Sequence, residues 1–581
     1  MANTMGSLYI GVSGIQVSQN ALNTTANNLA NIDTTGYVRE QILQADRNYL
    51  TLDESTAVSK QQSGLGVTIG DVIHARDVFL DKTFRTESGR SAFYASTYDT
   101  IAEVETLFQE LEGTAFEEVL MGDEGLWVAF QEYAKDPSDN VNQNLVIQRA
   151  SLFTSRAQAV YEGLENYQAN LNTQVSDAID RINEIGESIL DINIKIMGIE
   201  TAGVETAMNL RDVRDTLLDE LAEYGDISFK EMANGTIKVK FENVTFVDER
   251  NVYEIGKYED EVTDFITPYW KHLSNEDAGE VYEVYDPSEE ISTARKNDLG
   301  KLKAVLFARG DKAATYQDLE GISIKKYDET LGNSVMMNSQ AELDLLVHTI
   351  VTQINNLYCP NIATSEEITG KDINGNPVTI TVGTKILDTE NCFVGADGEI
   401  PPVELFVRTG CDRYTKVTTT DGKEYYVYNE EDPKDTSKQY TTGSIHVNPI
   451  LLESESKLAA YTQNGRDGDR PVAYELGELL TGLWEKESLY LSPHDTTPCT
   501  YAEFYNKMIG ELASLGDVFQ STAAGLESTV LSADNARQQV IGVSSDEELT
   551  KMIKFQNAYN AASRYMNVIS EMIETLITQM G

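Results

Sequence analysis

The chain is poor in the residues that staple, coordinate or catalyse. Four cysteines, Cys359, Cys392, Cys411 and Cys499, are spread over 581 residues with no CxxC spacing. That argues against a disulfide-built scaffold and leaves free thiols or one or two bridges as alternatives. The five histidines, His74, His272, His348, His446 and His494, are equally scattered. His494 and Cys499 are the one close His/Cys pair and match no zinc pattern without further ligands. His348 falls in an apolar helical stretch and reads as a core or interface residue. Long apolar runs are missing as well, since no stretch approaches the ~18 residues that cross a bilayer. Positive charge is scarce: 45 Lys and Arg stand against 94 Asp and Glu, a formal net of −49. Such a field repels nucleic acid and anionic lipid, which argues against both as partners.

Signatures of catalysis are also wanting. There is no Walker loop, and Gly64, Gly66 and Gly70 lead into a short β-like stretch, whereas a dinucleotide loop would open a helix. In Asp372-Ile-Asn-Gly-Asn-Pro377 the glycine stands two places too early for a calcium loop and the downstream Glu is missing, so a turn is expected. Carboxylates this abundant make some close pair inevitable, so a pair is no evidence of glycosidase chemistry. No nucleophile with its base is visible. The expectation is a non-enzyme with no catalytic residue, no metal and no cofactor. The start lacks a basic n-region, so no cleavable signal peptide is expected.

What the chain does have is a matching apolar seam at each end. Met5, Leu8, Val12, Ile15, Leu22, Ala26 and Leu29 follow steps of three and four, interrupted by Gln19. Met552, Phe555, Tyr559, Ala562, Met566, Ile569, Ile573, Leu576 and Met580 keep the same rhythm unbroken. Such steps put side chains on one stripe of a helix, the stripe that seeks a partner helix. The N-terminal helix also carries Gly6, Gly11 and Gly14, each costing about 1 kcal/mol relative to alanine. It gains order when its seam is buried, at roughly 1.5–3 kcal/mol per large apolar side chain. Residues 1–38 hold one charged side chain, Asp33, and residues 549–581 are nearly balanced, so the acidity belongs to the middle of the chain. Neutral ends and acidic outer parts suit a subunit whose termini meet each other and then meet neighbours in a crowded core.

Between the ends, periodicity predicts a mainly α protein with inserted β domains: terminal coiled coil, helical-bundle stalk and outer β-rich parts. Residues from about Ser91 to Tyr224 read as helical, with a further seam through Ile182, Ile185, Ile189, Ile192, Ile196 and Ile199. Asn234-Gly235, between Phe229-Lys230 and Ile237–Phe241, predicts a hairpin, and Asn374-Gly375 and Asp421-Gly422 predict turns beside a Tyr425–Tyr428 strand. Helical patterns recur at Leu299–Arg309, at Gln340–Tyr358 and from about Glu475 onward. The expected division is a terminal assembly domain of 1–48 plus 535–581, and a helical stalk of 49–225 plus 296–360 plus 446–534. Two β-rich inserts, 226–295 and 361–445, complete it.

Residues 20–41, NALNTTANNLANIDTTGYVREQ, closely resemble the N-terminal signature of bacterial flagellar rod, hook and hook-associated proteins. In that family an Asn-rich helix ends at a Gly-Tyr corner, here Gly36 and Tyr37, where glycine supplies the left-handed backbone of a helix stop. Proline is common just before it, and Thr35 stands there instead. Gly64–Val67 with Ala75–Leu80, the block LRDVRDTLLDEL from Leu210 to Leu221, and Ala233–Thr236 are similar to the hook-associated branch. Gly542–Ser544, Asp546–Glu548 and Phe555–Tyr559 resemble its C-terminal motif.

The resemblance implies a structural subunit between flagellar hook and filament, exported without a cleavable signal through the flagellar type III apparatus. Implied partners are copies of itself in a helical tube, the hook protein, hook-associated protein 3 and an export chaperone on the C-terminal helix. Neither nucleic acid nor membrane insertion is implied. The expected assembly interface is Leu8, Val12, Ile15, Leu22, Asn27, Asn28, Leu29, Asn31, Gly36 and Tyr37 against Met552, Phe555, Tyr559, Met566, Ile569, Ile573, Leu576 and Met580. Buried amides of the three asparagines should satisfy backbone or polar neighbours more cheaply than ions would. The alternatives are another rod- or hook-type axial subunit, or a flagellum-borne adhesin or hydrolase built on the inserts.

Overall fold

A computed structural model describes residues 2–47, 50–51, 62–109, 115–201, 206–275, 279–463 and 470–580, with side chains at 2–5, 50–51, 62–63, 109 and 580 excepted. The side chains of Met5 and Met580, both members of the expected seams, therefore lie outside the described residues.

The backbone of the molecule is the helix Asn140–Glu200, 61 residues long and capped by the Asp139 carboxylate accepting from Val141 N. It reads as a helix because its apolar residues recur at steps of three and four, and the structure buries that stripe. Ile182, Ile185, Ile189 and Ile196 are wholly enclosed and Ile192 nearly so, whereas Ile199, at the end, is 40% exposed. Around it pack the helices Val78–Gln109, Met208–Tyr224, Lys301–Arg309 and Val335–Tyr358, with Tyr501–Ile541 laid along Val78–Gln109. One continuous apolar core runs from Ile101 to Leu512 through these elements, including Phe153, Leu346 and Trp484.

The β segments are inserted into this helical frame as small antiparallel sheets. Ile227–Glu231, Ile237–Phe241 and Val244–Val247 form three strands, and the predicted Asn234-Gly235 turn joins the first two with Gly235 at φ +80°. A hairpin of Ile255–Glu259 and Ile266–Trp270 follows. The larger outer sheet has six strands between Asn361 and Tyr428, whose spatial order departs from chain order. Its turns at Gly375 (φ +83°) and Gly422 (φ +85°) fall where Asn-Gly and Asp-Gly place them. Asp372 accepts from Asn374 N and Asn376 N at 2.9 and 2.8 Å, so this phrase is a turn, as expected.

The mainly α fold with inserted β parts is thus the one the periodicity predicts. Two local expectations differ. Helix does not run unbroken from Glu475: Tyr474–Gly482 stops, a non-helical segment follows, and Tyr501–Ile541 and Ser545–Met580 are parted at Gly542–Ser544. Strand pairing also continues past Tyr428, with Ile445–Val447 on Phe406–Arg408 and Tyr461–Thr462 on Phe393–Val394. All four cysteines are free.

Candidate assembly interface and its anchoring joint

The N-terminal helix, Ala2–Ala30, packs along the C-terminal helix, Ser545–Met580. Gly11 lies against Met566, Gly14 against Ala562, and Asn28 donates to Glu548 at 3.1 Å, so the two helices are antiparallel. The close approach is made by small residues. A Cβ on Gly11 would fall 2.4 Å from Met566 Sδ, and one on Gly14 would fall 3.3 Å from Ala562 Cβ. Ser18, Ala21, Thr25 and Asn28 continue the same three-four steps and are all buried. The expected packing set large residues of both helices against each other; on the N-terminal helix the closest approaches are instead made by glycines, one of them against Met566 of the expected seam. The large stripe is displaced by one position, about 100° around the helix. On it Leu8, Ile15, Leu22 and Leu29 are half-buried and Val12 is 39% exposed.

On the C-terminal helix Ile569 is buried, Met552, Phe555, Met566 and Ile573 are half-buried, and Tyr559 and Leu576 are exposed. Leu549, Ile553, Tyr565, Val568, Met572 and Ile577 add a second exposed apolar row, with Ile577 67% and Ile553 61% accessible. The pair therefore satisfies one side of each helix and leaves apolar side chains outside.

The Asn-rich end is organised by Asn28, 1% exposed. Its amide donates to Glu40 O at 3.0 Å and to Glu548, while its oxygen accepts from Glu40 N at 3.0 Å and Tyr37 OH at 2.8 Å. Asn27 donates to Tyr37 OH at 3.3 Å, and Asn31 donates to Asn27 O at 2.9 Å. Gly36 takes φ +79°, the left-handed turn that directs Tyr37 back under the helix. Burial pushes the Tyr37 phenol well above its ordinary value, so it stays a donor.

Beyond this corner the chain enters a joint that fastens the terminal pair to the stalk. Arg39 N donates to Ile541 O at 2.9 Å, and Arg39 pairs with Glu547 at 2.9 Å. The LRDVRDTLLDEL block sits in Met208–Tyr224 and presents Asp212, Asp215 and Asp219 at steps of three and four. Asp212 accepts from Val38 N at 3.2 Å and faces His74 at 3.4 Å. Asp215 meets Arg76 and Arg85, and Asp219 pairs with both Arg85 and Arg537 at 2.6 Å. The Arg537 guanidinium also stacks 3.8 Å over Phe84. One helical face of carboxylates thus grips the chain that follows the N-terminal helix and the helix that leads into the C-terminal one.

An adjacent face of the same block grips the first insert. Buried Arg214 donates to Gly235 O at 2.8 Å, and Arg211 pairs with Glu200 and Glu231 at 2.8 and 2.6 Å. Burial lowers His74 to about 4 and raises Asp212 to about 7, so neither charge is favoured in the joint. A cleft of about 490 Å³ opens there between Gly36, Tyr37, Phe84, Asp219, Arg537 and Ile541. The sequence reading missed this clamp and the small-residue stripe. The signals were the Asp spacing 212, 215, 219 and the Gly/Ser/Ala/Thr spacing 11, 14, 18, 21, 25.

Elsewhere His348 stacks on Tyr316 with ring centroids 3.7 Å apart, and His494 pairs with Asp328 at 2.7 Å and not with Cys499. Among the described residues no three His, Cys, Asp or Glu side chains are grouped to hold a metal, and no helix is long and apolar enough to cross a membrane.

Paired ends clamped onto a helical stalk make the chain similar to the flagellar axial proteins, the class its terminal matches describe. Residues 8–37 match the family model described as flagella basal body rod protein, and residues 539–580 match the flagellar basal body rod FlgEFG protein C-terminal model. Residues 101–373 match the flagellar hook-associated protein FlgK helical domain. Along its whole length the chain is similar to relatives described as flagellar hook-associated protein 1. It is 23% identical to flagellar hook-associated protein 1 of Bacillus subtilis (strain 168), over 100% of this chain and 99% of that one. Against flagellar hook-associated protein 1 of Salmonella typhimurium identity is 20%, over 97% and 98%. The flagellar hook junction protein FlgK from Burkholderia pseudomallei aligns at a TM-score of 0.49 and 12% identity, covering 79% of this chain and all of that one.

Proposed function

We infer that this chain is a structural subunit of the bacterial flagellum that joins the hook to the filament, and we assign it no reaction. The observation that carries the reading is the terminal pair: it is clamped firmly to the stalk, yet Ile553, Val568, Met572 and Ile577 stand more than half exposed. Apolar rows of that length find their burial in neighbouring subunits. Heterologous contacts repeated from copy to copy generate a helical tube, in which the termini form the wall and the acidic middle faces outward.

On this reading residues 1–48 and 535–581 are the assembly unit, and the remaining segments are stalk and outward-facing inserts. The neighbours are further copies, the hook protein on one side and hook-associated protein 3 on the other. A chaperone covers the C-terminal helix before export through the type III apparatus, and the mature product is extracellular. The two terminal family matches and the full-length relatives support this placement. The test is deletion of the gene, followed by microscopy and assay of the medium. Bare hooks with flagellin shed into the medium are expected. Filaments still firmly attached would overturn the reading.

A further inference from the structure

In a chain with a net charge of −49, one strand pair is conspicuously basic. The register of Ile227–Glu231 on Ile237–Phe241 sets Lys230 directly opposite Lys238 and Ser228 opposite Lys240. All three lysines are exposed, and none has an ion pair among the described residues. Like charges facing each other across strands are destabilising, and the Asp248 carboxylate near Lys238 offsets only part of that. Ile227–Glu231 is an edge strand, and beneath its edge, on the face opposite Lys238 and Lys240 but reached by Lys230, runs a groove of about 410 Å³ walled by Val78, Lys82, Phe229 and Leu299. Val78 at its rim is 72% exposed. Of the carboxylates lining it, Glu231 is taken by Arg211 at 2.6 Å, and burial raises the Asp226 carboxyl against the pull of the nearby Lys82 charge.

The complementary shape lies on the same chain. The turn 260–264 closes the hairpin of Ile255–Glu259 and Ile266–Trp270 and carries Val262, 90% exposed. Glu259, Glu261 and Asp264 surround it, exposed and without a cationic partner among the described residues. The Asp260 carboxylate accepts from Val262 N and Thr263 N, both at 2.9 Å, which fixes the turn. Its base is tied to the stalk, where Asn172 donates to Asp264 O at 3.1 Å and accepts from Ile266 N at 2.8 Å. The tip is held away from its own chain's groove.

We propose that the acidic 259–264 tip of one subunit straddles the Lys230 edge of this strand pair in a second copy, its carboxylates toward the lysine face and Val262 seated beneath the edge in the groove between Val78 and Phe229. The proposal rests on the self-assembly reading above. A single tip buries too little surface to hold two copies in solution, so the contact forms where terminal packing has already aligned them.

The test places a photo-crosslinking phenylalanine analogue at Val262 of the full chain in the native cells, with the same analogue at Ile577 in a parallel strain. Val262 adducts should join two copies and map to residues 78–86 or 227–240. The pair Lys230→Glu and Lys238→Glu should lower that yield severalfold, and adding Glu261→Lys and Asp264→Lys should restore part of it. Copy-to-copy adducts at Ile577 without groove adducts at Val262 overturn the docking and leave assembly standing. If Ile577 also joins no copies and the chain is absent from hook tips, assembly itself has failed and the docking falls with it.

Discussion

The stalk and the terminal pair carry the same pattern and different fates. Both are written in steps of three and four, yet Ile182, Ile185 and Ile189 are wholly enclosed while Val12, Tyr559 and Leu576 remain open to solvent. The stalk helix finds Met208–Tyr224, Lys301–Arg309 and the first insert already in its own chain. The terminal helices find each other and the strands Glu40–Asp46 and Val67–His74, and their outer rows stay uncovered among the described residues. What differs is the supply of partners, so a seam's period says that a helix will adhere and leaves open what covers it. The buried contact of the pair is made through Gly11, Gly14 and Ala21, which lets the backbones approach and keeps the large side chains for elsewhere.

The strongest way to break the comparison is to charge the enclosed seam. Ile189→Asp should cost about 4 kcal/mol or more, because it buries an unpaired carboxylate and removes a packed side chain. Thermal melting of the full chain should show loss of the stalk transition. The corresponding change in the terminal pair should leave that transition in place.

Smaller effects belong to the joint. Asp219→Ala leaves Arg85 and Arg537, 5% and 11% exposed, short of their shared carboxylate, at about 2 kcal/mol. The expected readout is faster amide exchange at residues 36–40 and 541–548 with little change in the stalk. At Gly14, leucine should push the helices apart against Ala562 and speed exchange in both, whereas alanine at Gly11 needs the Met566 side chain to swing away and Tyr565 to give slightly, and should have a smaller effect.

The joint also sets a pH signature. Burial lowers His74 to about 4, so its contribution is lost as pH falls through the unfolded value near 6.5 toward 4. Asp212, raised to about 7, contributes most below 3.8 and loses that contribution as pH rises toward 7. The two slopes oppose one another between about 4 and 6.5, and the intact pair should be nearly flat there. Asp212→Asn keeps an acceptor for Val38 N and removes one slope, so the joint should weaken on acidification from pH 6.5 to 4. Exchange at residues 36–40 as a function of pH checks the sign.

These contrasts also mark how far the sequence could be read. Local signals were legible: Asn234-Gly235, Asn374-Gly375 and Asp421-Gly422 are turns because the glycine supplies positive φ, and Ile182–Ile196 is a buried stripe because its period matches the helix. The left-handed turn at Gly36 was legible for the same reason, although the helix itself ends earlier than expected, at Ala30. The Asp212, Asp215 and Asp219 clamp was not, because its partners His74, Arg76, Arg85 and Arg537 come from distant segments and surface carboxylates at such spacing are common. The order of the outer sheet was hidden likewise, since alternation fixes a strand's faces and not its neighbours. The small stripe of the N-terminal helix escaped because small residues carry little hydrophobic weight, although they set the closest approach.

The smallest expected effect on the isolated chain falls on its most exposed terminal row, and there the account is tested most directly. Val568→Ser with Ile577→Ser should change the melting of the purified monomer by no more than about 0.5 kcal/mol, both side chains being more than half exposed. In cells the same variant should be exported yet leave hooks without filaments. Normal filaments on that variant, or a monomer it destabilises as severely as Ile189→Asp does, would contradict the claim that these side chains are buried only between subunits.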